Sequence, residues 1–546
     1  MNSRAETKKK AFSTERFVWE LQRAFYSFKN SPVLAVILFQ IAAFIAVHAK
    51  GAGSIYRDMI GILFLITLVS WFFTSVIHGN KKILICALIL LTVGTMLQCI
   101  MEQEQIIKKP ELLENGNPAA GLQLQYLLGF AAAFVAAGCY LKWKQISGMR
   151  MCRILVALSL GLSMVTLIAS KAVGNVRNWI HIGGMSIQTT ELVKVLYVFI
   201  AAALLGTTER PSKQRIRVFY GVTVLEILML AAQSEFGTML LLLLIFLTFV
   251  FLFIPDIKIF IKTIVVMAIL AALMIVTGIQ LGRLADAGSF LGTNPLSSFF
   301  LSNYDKIANR FIYWLDPEKD ALGLGYQLLK ARESILLGGW FGTSSVTDLP
   351  VKTSDLVYPA LIQRCGMIFA ILVFFIFILM WLEGVRLFIR KGDRYHQAVG
   401  AGFVFMLFDQ TLIIIAGSTG LCPLTGITLP FISSGGSSLV VTFMIVGIMI
   451  AVSSNVKWKG LTDNEEEFFK ENAVFTKCHA YLRHLNDHIP HPDVRAAAGR
   501  LRGGRQTEAG GKGKHVSKGI RPGQNFGSRG KHSRVVRKAG KQKNVQ

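Results

Sequence analysis

Residues 420–438 read GLCPLTGITLPFISSGGSS, a run rich in Gly, Pro and Ser that leads into a long apolar stretch. Small residues let helices approach one another closely inside a membrane, and they also permit a broken helix that lines a cavity. The apolar stretch at 431–453 is long enough to cross a bilayer, which takes roughly 20 residues. The run therefore predicts a non-helical segment that turns the chain back into its last membrane span.

The rest of the chain has the composition of a membrane protein. Of its 546 residues, 53% are hydrophobic and only 16% are charged, and the mean hydropathy is +0.50. Soluble globular proteins lie far from these values. We therefore expect an all-α polytopic membrane protein with about 12 transmembrane helices, since one span takes roughly 20 residues. The candidate spans are 33–50, 58–77, 82–100, 124–142, 152–173, 189–206, 217–233, 237–254, 259–280, 357–385, 397–417 and 431–453.

The positions of the basic residues predict the orientation. Cytoplasmic loops of helical membrane proteins are enriched in Lys and Arg. We expect both termini to be cytoplasmic and the large loop 282–354 to be extracytoplasmic. With twelve spans, the basic clusters all fall on one side: 8–16, 81–82, 142–153, 210–217, 258–262 and 386–394. The loops on the other side are mixed or uncharged: 102–123, 172–190, 282–354 and 417–429.

The C-terminal segment accounts for part of the formal net charge of +26. From Arg495 to Gln546 the chain has 15 Lys or Arg residues and one Glu, with abundant Gly and no apolar periodicity. This composition predicts a disordered cationic tail. Either the tail is simply solvated or it is attracted to anionic inner-leaflet lipids. Because no folded module accompanies it, a nucleic-acid partner is not expected.

The polar segment 282–354 is the longest break between spans. Connections of this length are usually functional or disordered, and the turn signals and aromatic residues of this one favour an ordered structure. The next residues complete the run LPVKTSD (349–355), which places the carboxylate of Asp355 at the edge of a membrane helix. We interpret the segment as a catalytic loop.

Two shorter segments also carry ionisable residues. Glu191 and Lys194 are one helical turn apart and share a face of the sixth candidate span. Ionisable groups inside a span are costly and usually functional, but a mutually neutralising structural pair explains these two as well. The run QSEFGT (233–238) is too short for a conventional loop and predicts a tight turn between two helices. Solvation in that turn is enough to explain Glu235.

Together these segments resemble the SEDS (shape, elongation, division and sporulation) family of peptidoglycan glycosyltransferases, of the RodA and FtsW type, over residues 82–453. Members read LQPSELAK, QPDLGT, DP followed by GxGYQ, LPExHTDF, and PTGxxLPFxSxGGSS, in this order. This chain reads QTTELVK from Gln188, then QSEFGT, DP followed by GLGYQ, LPVKTSD, and PLTGITLPFISSGGSS. It also departs from the family after Asp355, where Gln363 and Arg364 replace two acids.

The resemblance implies a core of ten spans at 82–453. We therefore expect a cytoplasmic N-terminal segment at 1–32, an additional two-helix hairpin at 33–81, and a basic tail at 454–546. It also implies polymerisation of lipid II into glycan strands at the outer face of the bacterial cytoplasmic membrane, with a class B penicillin-binding protein as partner. Two alternatives stay open: a lipid II flippase with the same fold, and a weakened family member that serves as a scaffold for a transpeptidase, which the replaced acids would explain.

The resemblance assigns roles to individual residues. Asp355 matches the family's essential aspartate and is either a general base or a ligand of a divalent cation, Mg²⁺ or Mn²⁺. Arg310 and Lys194 are expected to stabilise the departing pyrophosphate, with Glu191 holding Lys194 in position. Alternatively, Lys194 pairs with Asp355 in the resting state. The residues expected to bind lipid II and undecaprenyl-linked glycan are Gln188, Gln233, Tyr326, Gln327, Ser433, Gly435, Gly436 and Ser437.

Overall fold

The computed structural model describes residues 32–49, 53–108, 120–142, 148–169, 179–182, 185–289, 294–323, 325–343, 348–389 and 393–454. The expected segments 1–32 and 454–546 therefore lie, except for one residue each, outside the described residues. The first helices are α1 (Val33–Ala49), α2 (Gly53–Val76), α3 (Lys81–Lys108), α4 (Ala120–Lys142) and α5 (Met149–Ala169). A two-stranded hairpin follows, formed by β1 (Trp179–Ile182) and β2 (Met185–Gln188).

Ten further helices complete the described chain. They are α6 (Thr190–Leu205), α7 (Lys213–Ala232), α8 (Phe236–Phe253), α9 (Ile257–Asp286), α10 (Pro295–Leu315), α11 (Tyr326–Gly338), α12 (Val357–Cys365), α13 (Met367–Ile389), α14 (Arg394–Ser418) and α15 (Gly436–Ser454). A short 3-10 helix, Pro317–Asp320, lies between α10 and α11. The strands pair antiparallel with Trp179 opposite Gln188, and they are the one departure from the all-helical prediction within the described part of the chain.

The membrane character of the fold is confirmed. Nine of the described helices are long and apolar enough to cross a membrane, namely α2, α3, α4, α5, α8, α9, α13, α14 and α15. The hairpin helix α1 is apolar but shorter. The stretches at 189–206 and 217–233 are helical as α6 and α7, and their membrane crossing stays a prediction, as does the count of twelve.

The expected span at 357–385 is wrong as a single helix. The structure divides it at Gly366, which has φ +89°, a left-handed conformation that favours glycine. A Cβ added there would lie 2.3 Å from the carbonyl oxygen of Trp340. The amide of Met367 donates to the carbonyl of Gly339 at 2.9 Å. The break at Gly366, which packs against the turn after α11, thus separates the short buried α12 from the membrane helix α13.

The predicted polar segment 282–354 is ordered over much of its length, but it begins later than expected because α9 continues to Asp286. Helix α10 starts at Pro295, whose missing N–H costs nothing at a first helical position. Its N-cap is Asn294, whose side chain accepts a hydrogen bond from the amide of Ser297 at 2.8 Å. The segment therefore contributes two helices to the region around the site.

The centre of the bundle is formed by α3, α14 and α15, which are the most buried of the candidate spans, whereas α9 is almost fully exposed on its surface. Close packing at this centre requires glycine: a Cβ on Gly94 of α3 would lie 2.1 Å from the carbonyl oxygen of Phe431. The end of the bundle where α3, α7 and α14 end is called the site end below, because the candidate residues gather there.

Candidate functional site

Asp355 is the last residue of a segment, 348–355, that is held between α3 and the chain before α15. Gln98 of α3 donates from Nε2 to the carbonyl oxygens of Thr353 at 3.1 Å and Ile432 at 2.8 Å. The amide of Ser434 also donates to Thr353, at 2.8 Å. The carbonyl of Ser354, immediately before Asp355, accepts from the hydroxyl of Ser433 at 2.8 Å. These bonds fix the backbone that presents the Asp355 carboxylate.

The segment from Thr419 to Gly435 is non-helical, as the sequence predicts. Its tightest point is Phe431, a non-glycine residue with φ +63°. Ser433 stabilises this turn because its hydroxyl accepts from the amide of Leu429 at 2.9 Å while it donates to Ser354. Ser433 was expected to bind substrate, and the structure engages both its donor and an acceptor position within the protein.

Glu191 and Lys194 form a buried pair in the first turns of α6. The Lys194 ammonium lies 2.9 Å from the Glu191 carboxylate, and the two side chains are only 1% and 7% exposed. Lys194 also donates to Oε1 of Gln410 on α14 at 3.3 Å, and Gln410 in turn donates to the carbonyl of Thr428 at 2.8 Å. Lys194 is therefore paired with Glu191 in this structure, and not with Asp355.

Glu235, in the turn between α7 and α8, is not a solvated residue. Its carboxylate accepts hydrogen bonds from Nε2 of Gln188 at 3.1 Å and from the hydroxyl of Thr238 at 3.2 Å. Burial raises the pKa of Glu235 to about 7, against the lowering effects of the Thr238 hydrogen bond and of the Lys194 and Arg310 charges. The residue therefore exchanges a proton near neutral pH.

Arg310 lies within electrostatic reach of two carboxylates. It interacts electrostatically with both Glu235 and Asp355, and it donates to the carbonyl of Leu424 at 3.0 Å. Unlike Lys194, it is exposed. Burial raises the pKa of Asp355, while a hydrogen bond from Ser354 and the Arg310 charge oppose that shift. The site thus combines an accessible cation with a carboxyl that binds its proton more tightly than usual.

Several of the residues expected to bind substrate lie around this cluster. The amide of Gln188 donates to the hydroxyl of Ser437 at 3.1 Å, which connects β2 to the start of α15. Gly435 packs against Thr428, and Gly436 against Gln125. A Cβ on Gly435 would lie 3.0 Å from the Thr428 side chain, which is tighter than usual, whereas one on Gly436 would make ordinary van der Waals contact with Gln125 at 3.4 Å.

Three other expected residues are less directly placed. Gln233 is buried and donates to the carbonyl of Ser163 at 3.2 Å, away from the cluster, while its Oε1 has no partner among the described residues. Tyr326 and Gln327 begin α11 and are half-buried. Within the described chain, their side chains form no hydrogen bond with the residues around Asp355.

The structure adds three residues to the site: Gln410 and Lys306, which the sequence analysis left out, and Glu235, which it explained by solvation. Gln410 connects α14 to Lys194, and Glu235 joins the charged cluster as described above. Lys306 lies one helical turn before Arg310 on α10 and donates to the hydroxyl of Ser234 at 3.0 Å. The i, i+4 spacing of Lys306 and Arg310 was a visible signal of a shared basic face, whereas the role of Gln410 depends on a contact between distant helices.

This arrangement suits the transfer of a group away from an anionic leaving group. A carboxyl with a raised pKa can accept a proton from an attacking hydroxyl, and preorganised cations stabilise negative charge that develops on the departing group. No group of three or more His, Cys, Asp or Glu residues with metal-site geometry occurs among the described residues. A Mg²⁺ or Mn²⁺ ion therefore fits here only in the mode in which one or two carboxylates and substrate phosphates share the metal.

The fold and the site define a multi-pass membrane protein with a charged cluster at one end of its helical bundle. The family model FtsW/RodA/SpoVE, described as a cell cycle protein, matches residues 80–458. The chain belongs to this family.

Named relatives cover large parts of the chain. The stage V sporulation protein E of Bacillus subtilis (strain 168) is 28% identical over 303 residues, which are 53% of this chain and 76% of the relative. The peptidoglycan glycosyltransferase RodA of Mycobacterium tuberculosis (strain ATCC 25618 / H37Rv) is 25% identical over 368 residues, or 64% of this chain and 73% of the relative. A probable peptidoglycan glycosyltransferase FtsW of Hahella chejuensis (strain KCTC 2396) is 28% identical over 365 residues, or 64% and 84%.

A solved structure supports the fold. One chain of a peptidoglycan synthase complex, solved to explain the coordination of polymerization and crosslinking, superposes with a TM-score of 0.51. It is 19% identical in sequence and covers 69% of this chain and 97% of its own length. The likeness confirms the helical membrane architecture.

Proposed function

We propose that this protein is a peptidoglycan glycosyltransferase that polymerises lipid II into glycan strands. Relatives across the family are named peptidoglycan glycosyltransferases. The single observation that carries the proposal is that exposed Arg310 lies within electrostatic reach of the carboxylates of both Asp355 and Glu235. A glycosyl transfer from a lipid pyrophosphate needs both a base and a cation at one place, and this cluster supplies them.

In the proposed reaction, the 4-hydroxyl of the acceptor sugar attacks the anomeric carbon of the growing strand. The hydroxyl loses its proton to Asp355 as the new carbon–oxygen bond forms. The bond between the anomeric carbon and the pyrophosphate oxygen breaks, and the undecaprenyl pyrophosphate leaves with the electron pair. The raised pKa of Asp355 favours this proton transfer because it makes the carboxylate a stronger base.

Charge on the departing pyrophosphate is met by the basic face of α10. Arg310 is exposed and Lys306 lies one turn away, so these two side chains are placed to contact phosphate oxygens. Lys194 is buried in its pair with Glu191. Its part is to hold the α6–α14 network in position and to add a positive potential near Glu235.

A divalent cation completes the proposal. Asp355 would hold Mg²⁺ or Mn²⁺ together with the phosphates of the substrate, in the sparse carboxylate mode described above. Such an ion supplies further neutralisation of the pyrophosphate charge. The protein's own residues position the acceptor hydroxyl and take its proton.

The site end is proposed to face the outside of the bacterial cytoplasmic membrane, with both termini in the cytoplasm, because the basic loops fall at the other ends of the helices. We also propose a class B penicillin-binding protein as the partner that cross-links the strands, and anionic inner-leaflet lipids as the contact of the basic tail. These assignments follow from the family resemblance and from the charge pattern.

The test is glycan-strand formation from fluorescent lipid II by the purified full chain in Mg²⁺ or Mn²⁺, with and without a cognate penicillin-binding protein that has no glycosyltransferase domain. Arg310→Ala and Lys319→Ala, an exposed lysine in the turn after α10, form a matched pair of variants. Strands from wild type and Lys319→Ala, but few from Arg310→Ala, are expected. Folded wild type that moves lipid II across vesicles without polymer would favour a flippase, and neither activity would favour a scaffold.

A further inference from the structure

One carboxylate at the site end serves two cations. Glu104, in the last turns of α3, accepts from Nε of Arg364 at 2.6 Å and from the ammonium of Lys352 at 3.0 Å. Arg364 is 2% exposed, Lys352 11% and Glu104 18%. The guanidinium of Arg364 also donates to Oε1 of the neighbouring Gln363. We call Glu104, Lys352 and Arg364 the α3 charge triad.

Two members of the triad flank Asp355, the residue proposed as the base, along the chain. Lys352 lies three residues before Asp355 in the chain. Arg364 lies near the end of α12, and this helix starts two residues after Asp355. A single acid on α3 thus holds the chain on both sides of Asp355. Gln98, six residues earlier on α3, donates to the carbonyl of Thr353, which follows Lys352 in the chain.

The triad differs from an ordinary surface ion pair on the same helix. One turn further along α3, Lys108 pairs with Asp348 at 3.1 Å, with both side chains exposed. Exposed pairs contribute little to stability, whereas removal of one partner from a buried pair leaves a charge that neither water nor protein compensates. Loss of the Glu104 charge would leave two buried cations facing each other beside the segment that carries Asp355.

The triad also gives a physical account of the departures from the family motif. Where the family carries two acids, this chain carries Gln363 and Arg364. In this chain the carboxylate at this place is Glu104 of α3, which pairs with the basic Arg364. Arg364 therefore has an acidic partner, and the scaffold hypothesis stays open.

We propose that Glu104 is a positioning residue that sets the place of Asp355 by holding Lys352 and Arg364 to α3. This rests on the proposed function only for its effect on turnover. Both carboxylate oxygens of Glu104 accept from Arg364 or Lys352, so its loss is expected to lower kcat and to leave KM nearly unchanged. Because a displacement of about 1 Å can cost about 10²-fold in rate, we expect kcat to fall at least about tenfold.

The experiment compares full-length wild type with Glu104→Gln, the charge exchange Glu104→Arg with Arg364→Glu, and the control Lys108→Ala. Hydrogen–deuterium exchange follows the amides of Ser354 and Leu356, which both donate to the carbonyl of Val351, at 3.1 and 3.2 Å. Exchange is expected to be about tenfold faster in Glu104→Gln, since local opening governs these amides. Wild-type exchange is expected in Lys108→Ala. The charge exchange variant restores the pair between positions 104 and 364 but leaves Lys352 beside a second cation, so its exchange is expected to lie between that of Glu104→Gln and wild type.

Polymerisation kinetics are measured on the same four proteins. The kcat is expected to fall with KM retained in Glu104→Gln, and to recover in part in the charge exchange variant. Unchanged exchange and kcat in Glu104→Gln would overturn the proposal, as would a charge exchange variant no better than Glu104→Gln. Faster exchange in α14 and α15 would show that Glu104→Gln unfolds globally. In that case the charge exchange variant tests the positioning role of Glu104. If wild type makes no strands, the proposed function fails, and the exchange rates still test the positioning role.

Discussion

Removing either partner of the buried Glu191–Lys194 pair is expected to destabilise the protein, but the two substitutions should differ in size. Both residues belong to the first turns of α6, near the positive end of the helix dipole. Glu191→Gln leaves the Lys194 ammonium buried at that positive end, where it faces neutral amide oxygens, such as that of Gln410 at 3.3 Å, instead of a carboxylate. Lys194→Met leaves a carboxylate there, which the helix end favours. Glu191→Gln should therefore be the more harmful change.

The magnitude follows from the burial of the pair. Its charged atoms are 2.9 Å apart, and its side chains are 1% and 7% exposed. Removing one partner of such a pair typically costs about 3–5 kcal/mol, with Glu191→Gln at the upper end and Lys194→Met at the lower. The double variant Glu191→Gln/Lys194→Met leaves no buried charge. Its loss should be close to that of one single variant, so the coupling energy should equal the loss caused by the other, about 3–5 kcal/mol.

The assay is reversible unfolding of wild type, the two single variants and the double variant in mixed micelles, which gives the free energy of unfolding for each. A control cycle uses Lys330 and Glu333 on α11, a pair with the same i, i+3 spacing at 2.7 Å but partly exposed. That cycle should show no resolvable coupling. Additive losses at Glu191 and Lys194, with the double variant as unstable as the two singles combined, would refute the reasoning.

Three further predictions rest on single positions. Burial raises the pKa of Glu235 from its ordinary value of 4.5 to about 7, so the folded state binds more protons than the unfolded state between these pH values. The free energy of unfolding should therefore fall as the pH rises from 4.5 to about 7. Glu235→Gln should remove this slope when unfolding is measured as a function of pH. Gly94→Ala should lower the free energy of unfolding by about 1–3 kcal/mol, because the added Cβ would collide with the backbone of Phe431. Gly161→Ala should not, because a Cβ there would meet nothing within 4 Å. Arg310→Ala should lower polymerisation about 10²-fold or more; full activity would remove it from the site.

The sequence predicts the helical class and the non-helical segment before α15 because both depend on local composition. Apolar stretches of span length and a dense run of Gly, Pro and Ser specify these features without distant contacts. The turn at 233–235 is predicted for the same reason. The break at Gly366 is missed because the apolar run is continuous across it, and the requirement for glycine comes from Trp340, which packs there from an earlier turn.

The site is predictable only in part. Sequence spacing places Glu191 and Lys194 on one face, and the motif places Asp355 at the end of its segment. The burial of Glu235 and the bond from Gln410 to Lys194 depend on how separate helices pack, which composition does not encode. The same holds for Glu104: it lies some 260 residues from Arg364 along the chain, so its pairing with Arg364 becomes visible only in the folded protein.

The most direct test of the account is the polymerisation of fluorescent lipid II by Asp355→Asn, with Asp348→Asn as the matched control. Asp348 belongs to the same segment, but it is exposed and paired only with Lys108 among the described residues. Both variants keep the shape of the side chain and lose its charge. The account predicts wild-type strands from Asp348→Asn and a fall of about 10²–10⁴-fold from folded Asp355→Asn. Strand formation by Asp355→Asn at the rate of the control would contradict it.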